Sequence, residues 1–276
     1  MTPGGENTVP LIVARDLRKH FRHNSHDIVK ALDGISLEIG AGVLTALVGP
    51  DGAGKTTFIR LVTGLLTPDS GELKVLDVDV AADPQQIQAR IGYMPQKFGL
   101  YEDLTVQENL DLYADLHGVT VGERRERYPR LMDMTALGPF TNRLAGRLSG
   151  GMKQKLGVAC TLVRSPELLL LDEPTVGLDP LARKMVWKHV RELNKQTGTT
   201  ILMTTHDMDE ADALCDIVAL MHGGKIIVMD TPKNLKAAVG PKATLDDVFI
   251  LHTGSSLKET GDYQDVKQIR TTISHL

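Results

Sequence analysis

The chain has 276 residues, of which 42% are hydrophobic and 24% are charged, and its formal net charge is -4. These proportions are typical of a globular protein that buries its core in one large domain or two small ones. The slight negative charge gives no overall electrostatic reason to bind nucleic acid, so we expect no nucleic-acid partner.

The cysteine content and the first residues bear on the compartment of the protein. Cys160 and Cys215 lack the paired spacing of a zinc or redox motif, so we interpret both as small core residues in a reducing environment. The start, MTPGGENTVP, has neither the basic nor the apolar region of a signal peptide. No window approaches the roughly 18 apolar residues that span a bilayer, which predicts a chain that does not cross a membrane by itself.

Strand and helix patterns alternate along the chain. Apolar or alternating runs predict strands at 11–17, 28–39, 43–48, 72–76 and 90–94, with a helix from 54 to 64. Strand signals vanish between about 100 and 165, where Thr105 and Glu108 predict a capped helix start and a charged helix containing a proline follows. Strands return at 168–171, 199–205, 217–221 and 225–229, and Asp179 with Pro180 predicts another helix start.

This order predicts an α/β fold with attached subdomains. Buried strands that alternate with helices favour a mainly parallel sheet covered on both faces. The β-rich beginning predicts an N-terminal antiparallel β subdomain, and the helical stretch predicts an inserted α-helical subdomain. We place the whole domain at 9–240, its core at 9–99 and 165–230, the helical subdomain at about 100–164, and a short helical tail at 241–276.

A glycine-rich stretch, GPDGAGKTT at 49–57, follows the apolar strand at 43–48 and precedes a helix, the context that identifies a phosphate-binding P-loop. We expect the backbone N–H groups of Gly52, Ala53 and Gly54 to surround nucleotide phosphates. Lys55 is expected to contact the β- and γ-phosphates, and the Thr56 hydroxyl to ligate Mg²⁺. The alternative is a glycine-rich turn without a ligand.

Two adjacent carboxylates end the apolar strand in the run LLLLDEP. Asp172 and Glu173 are therefore expected at the carboxyl edge of the sheet, where open α/β folds bind ligands. Asp172 is predicted to belong to the coordination shell of Mg²⁺, and Glu173 to polarise an attacking water. Two acids at this position repel one another unless a cation is near, which argues against a purely structural role.

Four of the nine histidines are candidates for a functional role. His206 ends the strand at 199–205, which predicts that it reaches the same sheet edge and hydrogen-bonds the γ-phosphate or the attacking water. A lone histidine is usually structural, so only this position favours a functional role. His20, His23 and His26 surround a polar stretch without an acid or cysteine, and we interpret them as a solvated loop and not a metal site.

Residues 148–155, LSGGMKQK, form a second glycine-rich helix start. Ser149 is a good N-cap, and Gly150 and Gly151 leave the backbone of the next turn approachable, which predicts a second anion site without a lysine. Alone the pattern is weak, because glycine-bearing helix starts without ligands are common.

In order and spacing, these motifs resemble those of ATP-binding cassette (ABC) ATPases from about residue 11 to residue 230. GPDGAGKTT is similar to the Walker A motif, LLLLDEP to Walker B, LSGGM to the ABC signature and TVGLDP to the D-loop, while His206 matches the switch histidine. The resemblance implies a P-loop NTPase (RecA-like) core that binds ATP and Mg²⁺ and hydrolyses ATP.

The resemblance also implies roles for further residues. Gln96, in YMPQ, matches the Q-loop glutamine, which senses Mg²⁺ and the attacking water. Phe21, in LRKHF, falls where such proteins stack an aromatic ring on adenine, although tyrosine is commoner and a core aromatic is the alternative. The remaining implied nucleotide contacts are Gly49, Pro50, Asp51, Thr57, Ser149, Gly150, Gly151 and Asp179. Asp51 replaces the usual asparagine and Met152 the usual glutamine; the added charge of Asp51 is expected to change affinity more than chemistry.

The segments at 91–119 and 243–257 are similar to those of ATPase subunits in bacterial drug-exporter-type ABC systems. This implies separate integral membrane permease subunits, contacted around Gln96, Phe98 and the helical insertion, and a peripheral location on the cytoplasmic side of the inner membrane. The signature is implied to face ATP held by another cassette, which predicts a homodimer or a heterodimer with a second cassette.

Other classes give different expectations. A soluble ABC ATPase of translation or DNA repair is expected to carry two cassettes, coiled-coil insertions or zinc-binding cysteines. An importer ATPase often has a longer regulatory domain after the core. A P-loop kinase or GTPase has no role for LSGGM and His206.

Overall fold

The computed structural model describes residues 9–22, 28–97 and 99–254. The chain divides into two compact units, the first formed by Met1–Ala89 with Leu202–Leu276 and the second by Arg90–Ile201. The stretch at 100–164, predicted to be a helical subdomain, falls within the second unit. The predicted bounds of the whole domain and of the tail stay predictions.

The strands and helices are numbered in chain order. The strands are β1 (Pro10–Arg22), β2 (Ile28–Gly40), β3 (Leu44–Val48), β4 (Ser70–Val75), β5 (Val78–Asp79), β6 (Ile91–Met94), β7 (Leu168–Asp172), β8 (Thr200–Thr205), β9 (Ile217–His222) and β10 (Lys225–Asp230). The α-helices are α1 (Lys55–Val62), α2 (Pro84–Gln88), α3 (Val106–Leu116), α4 (Val121–Thr135), α5 (Gly150–Leu162), α6 (Pro180–Thr197), α7 (Met208–Leu214), α8 (Pro232–Val239) and α9 (Leu245–Thr253). Short 3-10 turns lie at Gly138–Phe140 and Ala145–Arg147.

An antiparallel sheet forms the N-terminal part of the first unit. Its strand order is β2-β1-β4-β5, and β1 pairs antiparallel with both β2 and β4. Leu17, Leu32 and Ile35 are fully buried on its apolar face. This confirms the antiparallel β subdomain predicted from the alternating runs.

A second sheet in the same unit carries strands in the order β10-β9-β3-β8. β3 and β9 are parallel, whereas β10 is antiparallel to β9 across a tight turn at Gly223 and Gly224. Every residue of β3 and β8 is buried, which explains their continuous apolar sequences, because strands packed on both faces need no polar alternation.

The second unit combines a parallel strand pair with helices. β6 and β7 pair in parallel, with Ile91 opposite Leu168. The helices α3, α4 and α5 pack together around a buried cluster that includes Val106, Leu110 and Leu156. Thr105 and Glu108 form the predicted capping box of α3, and Pro129 lies inside α4 as the sequence indicated. The mainly parallel α/β fold with these attachments is therefore confirmed.

Both cysteines lie in the core, as expected for small apolar residues. Cys160 and Cys215 are free and buried, and burial raises the pKa of the Cys160 thiol. None of the helices in the described part of the chain has the length and apolar character that crossing a membrane requires.

Candidate functional site

The phosphate loop of the first unit joins the buried strand β3 to α1. Gly54 is the N-cap of α1 in the left-handed conformation, with φ 103°, and it supplies no side-chain cap. Asp51 and Gly52 are exposed at the tip of the loop, while Thr56 is half-buried in the first turn of α1. The uncapped start of a helix offers N–H groups and a positive dipole end to an anion.

Lys55 is held inside this loop. Its ammonium donates to the carbonyl oxygens of Gly49 at 2.7 Å and Pro50 at 3.0 Å, and the residue is 5% exposed. The Ala53 amide donates to the Pro50 oxygen at 3.2 Å, so this amide serves the loop itself. These contacts order the loop and place a cation beside the N-terminus of α1, which suits phosphate binding.

The turn between β9 and β10 packs against the phosphate loop and supports it. A Cβ at Gly49 would lie 2.1 Å from the carbonyl oxygen of Met221, so only glycine permits this close approach. The amide of Gly224 donates to the Ala53 oxygen at 3.1 Å. On another side, the Gly49 amide donates to the Thr205 oxygen at 3.3 Å, which brings the loop beside the end of β8.

His206 follows β8 directly and is exposed. The turn around it is built by residues that the sequence analysis missed. The Thr205 hydroxyl accepts from the Asp207 amide at 3.0 Å and donates to the buried carboxylate of Glu210. Asp207 caps α7 by accepting from the Glu210 amide. An acidic N-cap with glutamate three residues later is the signal that could have revealed this turn.

Phe21 lies near the end of β1 and is half-buried, so it is not a core aromatic. The Lys19 ammonium lies 5.7 Å from its ring centroid. The interpretation of a solvated loop without an acid is wrong for His20, which lies in β1 and donates its backbone N–H to Asp69 at 2.6 Å. His23 and His26 lie outside the described residues, as does Phe98.

In the second unit, β7 ends in the two predicted acids. Asp172 is 2% exposed and Glu173 is 7% exposed. Glu173 has φ 49°, a left-handed backbone conformation that is uncommon for a residue other than glycine. Such strain persists only where the surrounding structure holds it, and it is frequent at functional sites.

Gln96 contacts the second of these acids. It follows β6, the parallel neighbour of β7, and its Nε2 donates to Oε2 of Glu173 at 2.9 Å. The structure therefore brings together two predicted site residues that are 77 positions apart. This hydrogen bond fixes the direction of a buried carboxylate, as a general base requires.

The glycines after Ser149 begin α5, as predicted. The Ser149 hydroxyl accepts from the Met152 amide at 3.4 Å, so Ser149 is the N-cap. A Cβ at Gly151 would lie 2.9 Å from Cβ of Ala182 in α6. Gly151 thus also serves a close approach of two helices, a structural role that the sequence analysis did not assign.

Asp179 caps α6 with both of its expected partners. Its carboxylate accepts from the amides of Leu181 and Ala182, each at 2.9 Å. Since Gly151 lies against Ala182, the structure brings the start of α5 and the start of α6 together. The Asp179 side chain is occupied by this cap, and its predicted contact with nucleotide stays a prediction.

The side chains suit a magnesium nucleotide. The Thr56 hydroxyl, the Asp172 carboxylate and the Gln96 amide oxygen are hard oxygen donors of the kind that Mg²⁺ prefers. A glycine loop with a left-handed helix start and an ordered lysine suits phosphates. The donor sets in both units therefore fit the group that the sequence predicts.

Comparison with known proteins places these features in one family. A family model described as "ABC transporter" matches residues 32–176, which is more than half of the chain. A relative in Escherichia coli (strain K12), "Probable multidrug ABC transporter ATP-binding protein YbhF", is 50% identical over 235 residues, which are 85% of this chain and 40% of that protein. The chain therefore spans two fifths of the length of this relative.

Two further matches agree with the first. "Daunorubicin/doxorubicin resistance ATP-binding protein DrrA" of Streptomyces peucetius is 42% identical over 211 residues, covering 76% of this chain and 64% of that one. A solved structure, "Dimeric structure of a post-hydrolysis state of the ATP-binding cassette MJ0796 bound to ADP and Pi", superposes with a TM-score of 0.72 at 26% identity. It covers 80% of this chain and 98% of its own.

Proposed function

The chain belongs to the ABC transporter family, and from that premise we propose that it binds ATP with Mg²⁺ and hydrolyses the ATP to drive a membrane transporter. The hydrolytic part is carried by one contact, the hydrogen bond from Gln96 to Glu173. Nucleotide binding alone needs no oriented carboxylate, whereas hydrolysis needs a base directed at water.

The first unit supplies the proposed nucleotide contacts. The loop from Gly49 to Thr57 binds the phosphates through backbone amides and the Lys55 ammonium, and Phe21 stacks on adenine. The half-exposed ring of Phe21 supports this role, because a ring that packs on a base must reach the surface. Asp51, exposed at the loop tip, lies where its charge weakens the binding of a polyanion.

The hydrolytic roles fall to residues of both units. Thr56, Asp172 and Gln96 are the proposed Mg²⁺ ligands; when bound, the ion neutralises charge on the β- and γ-phosphates. Glu173 accepts a proton from the attacking water, and Gln96 holds the carboxylate in place. His206, exposed on the turn after β8, hydrogen-bonds the γ-phosphate or the water.

We propose that the working form contains two cassettes that sandwich two ATP molecules. Ser149, Gly150 and Gly151 of one copy bind the γ-phosphate of ATP held by the loop of the other, and Asp179 lies beside this contact. The N-terminal dipole of α5 favours such an anion. Because one chain carries both motifs, a homodimer suffices, and a heterodimer with a second cassette is the variant of the same arrangement.

The two cassettes are proposed to close on ATP and to reopen after hydrolysis. This movement is transmitted to separate integral membrane permease subunits through the surface around Gln96 and the helical part of the second unit. This places the chain peripherally on the cytoplasmic side of the inner membrane. The names of the Escherichia coli and Streptomyces relatives support an exporter of drugs or other hydrophobic, lipid-like cargo. The rival proposals are a soluble ATPase of translation or DNA repair and an importer ATPase.

Two measurements test the proposal. Purified protein should hydrolyse ATP only with Mg²⁺ present. If the full chain releases no phosphate from ATP when Mg²⁺ is present, the enzymatic part is refuted. For the exporter part, the chain is co-expressed with the membrane proteins of its genomic neighbourhood and purified from detergent. Recovery of a stable complex supports transport, by an exporter or an importer, while recovery of the soluble chain alone favours the soluble ATPase of translation or DNA repair.

A further inference from the structure

The helix α9 contacts the turn on which the phosphate loop rests. Phe249 is fully buried, and its ring centroid lies 5.8 Å from that of His222, at an interplanar angle of 75°. This is an edge-to-face aromatic pair. Within the described residues, the buried Nδ1 of His222 has no hydrogen-bond partner, so no hydrogen bond at this atom fixes the orientation of the ring.

His222 ends β9, and its neighbours in the chain hold the phosphate loop. The carbonyl oxygen of Met221 occupies the position that a Cβ at Gly49 would need. The amide of Gly224 donates to the Ala53 oxygen at 3.1 Å. Because Met221 and Gly224, on either side of His222 in the chain, both contact the loop, a displacement of this turn moves the backbone groups that order the loop.

Apolar packing holds α9 in its position. Leu245 and Val248 are buried on the same face as Phe249, and α9 packs against α7 and α8. The family model ends at residue 176, so the match assigns no role to α9. The helix α9 is therefore held by its own packing and contacts, through Phe249, the turn that supports the phosphate loop.

We propose that Phe249 and His222 are positioning residues of the nucleotide site, through which α9 holds the β9–β10 turn and thus the phosphate loop in its binding conformation. This inference rests on the proposed function, since it concerns the same ATP. It predicts that the aromatic pair raises affinity for ATP in addition to stabilising the fold.

The test uses the full chain and four single variants, His222→Ala, His222→Phe, Phe249→Ala and Leu245→Ala. The dissociation constant for MgATP is measured by displacement of a fluorescent ATP analogue, and the melting temperature is measured without nucleotide. Leu245→Ala is the matched control, because it removes a buried side chain one turn away on the same helix. His222→Phe keeps an aromatic ring opposite Phe249.

We expect His222→Ala and Phe249→Ala to bind ATP about fivefold more weakly, the size expected for the loss of one aromatic pair. A fifth variant that combines His222→Ala with Phe249→Ala should bind no more weakly than either single one, because both substitutions remove the same contact. His222→Phe should bind like the wild type, and Leu245→Ala should lower only the melting temperature.

Wild-type affinity in His222→Ala and Phe249→Ala would overturn the inference, and so would an equal loss of affinity in Leu245→Ala. If Phe249→Ala does not fold, the comparison of His222→Ala with His222→Phe decides alone. A wild-type chain that binds no ATP, or binds it as well as Lys55→Ala does, would overturn the proposed function together with this inference. The two failures are thereby distinguished.

Discussion

Two helices of this protein, α1 and α5, begin at glycine-rich segments, yet their first turns differ. α1 starts at the left-handed Gly54 without a side-chain cap and has Lys55 as its first residue. α5 starts at Ser149, whose hydroxyl caps the helix, and its first lysine, Lys153, pairs with Glu102 at 2.6 Å. An uncapped start with its own lysine is suited to hold a polyanion by itself, whereas in the proposed dimer a capped start whose first lysine is paired completes a site that another element has built.

The difference explains how one chain can carry two anion-directed helix starts without redundancy. In the proposed dimer, α1 supplies most of the affinity for ATP, and α5 adds contacts only when two copies close. Variants at the two starts should therefore change different quantities: those at α1 change ATP binding by the single chain, and those at α5 change association of two chains.

The largest effect is expected at α1. Lys55→Ala removes the buried ammonium that orders the loop and is proposed to face the phosphates, so ATP hydrolysis should fall at least about 100-fold. Phosphate release and ATP binding are measured together. Lys153→Ala is the control on α5 and should keep ATP binding; equal losses in the two variants would remove the distinction between the helix starts.

The proposed base, Glu173, can be removed while both helix starts stay intact. Glu173→Gln keeps a hydrogen-bonding side chain beside Gln96 but loses the proton acceptor, so hydrolysis should fall by about 100-fold or more while ATP still binds. Light scattering with ATP should then detect a trapped dimer. Glu167→Gln, on the segment before the same strand, is the matched control; a wild-type rate in Glu173→Gln would show that the base is assigned wrongly.

A smaller effect is expected at α5. In the Glu173→Gln background, Ser149→Ala should leave ATP binding to the single chain unchanged and weaken ATP-dependent dimers about tenfold, the value of one hydrogen bond to a charged group. Loss of the cap should also cost about 0.5 kcal/mol of stability, at the low end for N-caps because the bond is 3.4 Å long. Unchanged dimers would contradict the role of α5.

The smallest effect concerns α3, a helix start that meets no proposed ligand. Hydrogen bonds from the Thr105 backbone amide and hydroxyl hold the pKa of Glu108 below its ordinary value. A lowered pKa stabilises the fold above the unfolded pKa, about 4.3, and this contribution is lost as pH falls through the folded pKa. Thr105→Ala should therefore shift the denaturant midpoint more at pH 7 than at pH 3.5; equal shifts would show that the carboxylate does not contribute.

The phosphate loop could be predicted because its information is contiguous. A buried strand, a glycine run and a helix start follow one another within 43–64, and each element forms from local preferences. The same holds for the caps at Thr105, Ser149 and Asp179, all of which the structure confirms. The rule that predicts the cap at Thr105 also fits Thr120 and Glu123, which form a capping box at the start of α4.

Other features were beyond sequence reasoning. The helices α2 and α7 are too short for a clear period, and only their caps, Asp83 and Asp207, mark them. Gln96 and Glu173 meet because β6 and β7 are parallel neighbours, and strand order is not written in local patterns. The pair of His222 and Phe249 likewise depends on tertiary packing.

The backbone of Glu173 has a consequence for engineering. Its left-handed φ of 49° suits glycine, so Glu173→Gly relieves local strain of about 1 kcal/mol, but it also deletes a buried carboxylate and its hydrogen bond with Gln96. These effects are of similar size, so a screen for heat resistance alone does not protect the proposed base. Stable variants at residue 173 therefore have to be assayed for ATP hydrolysis as well.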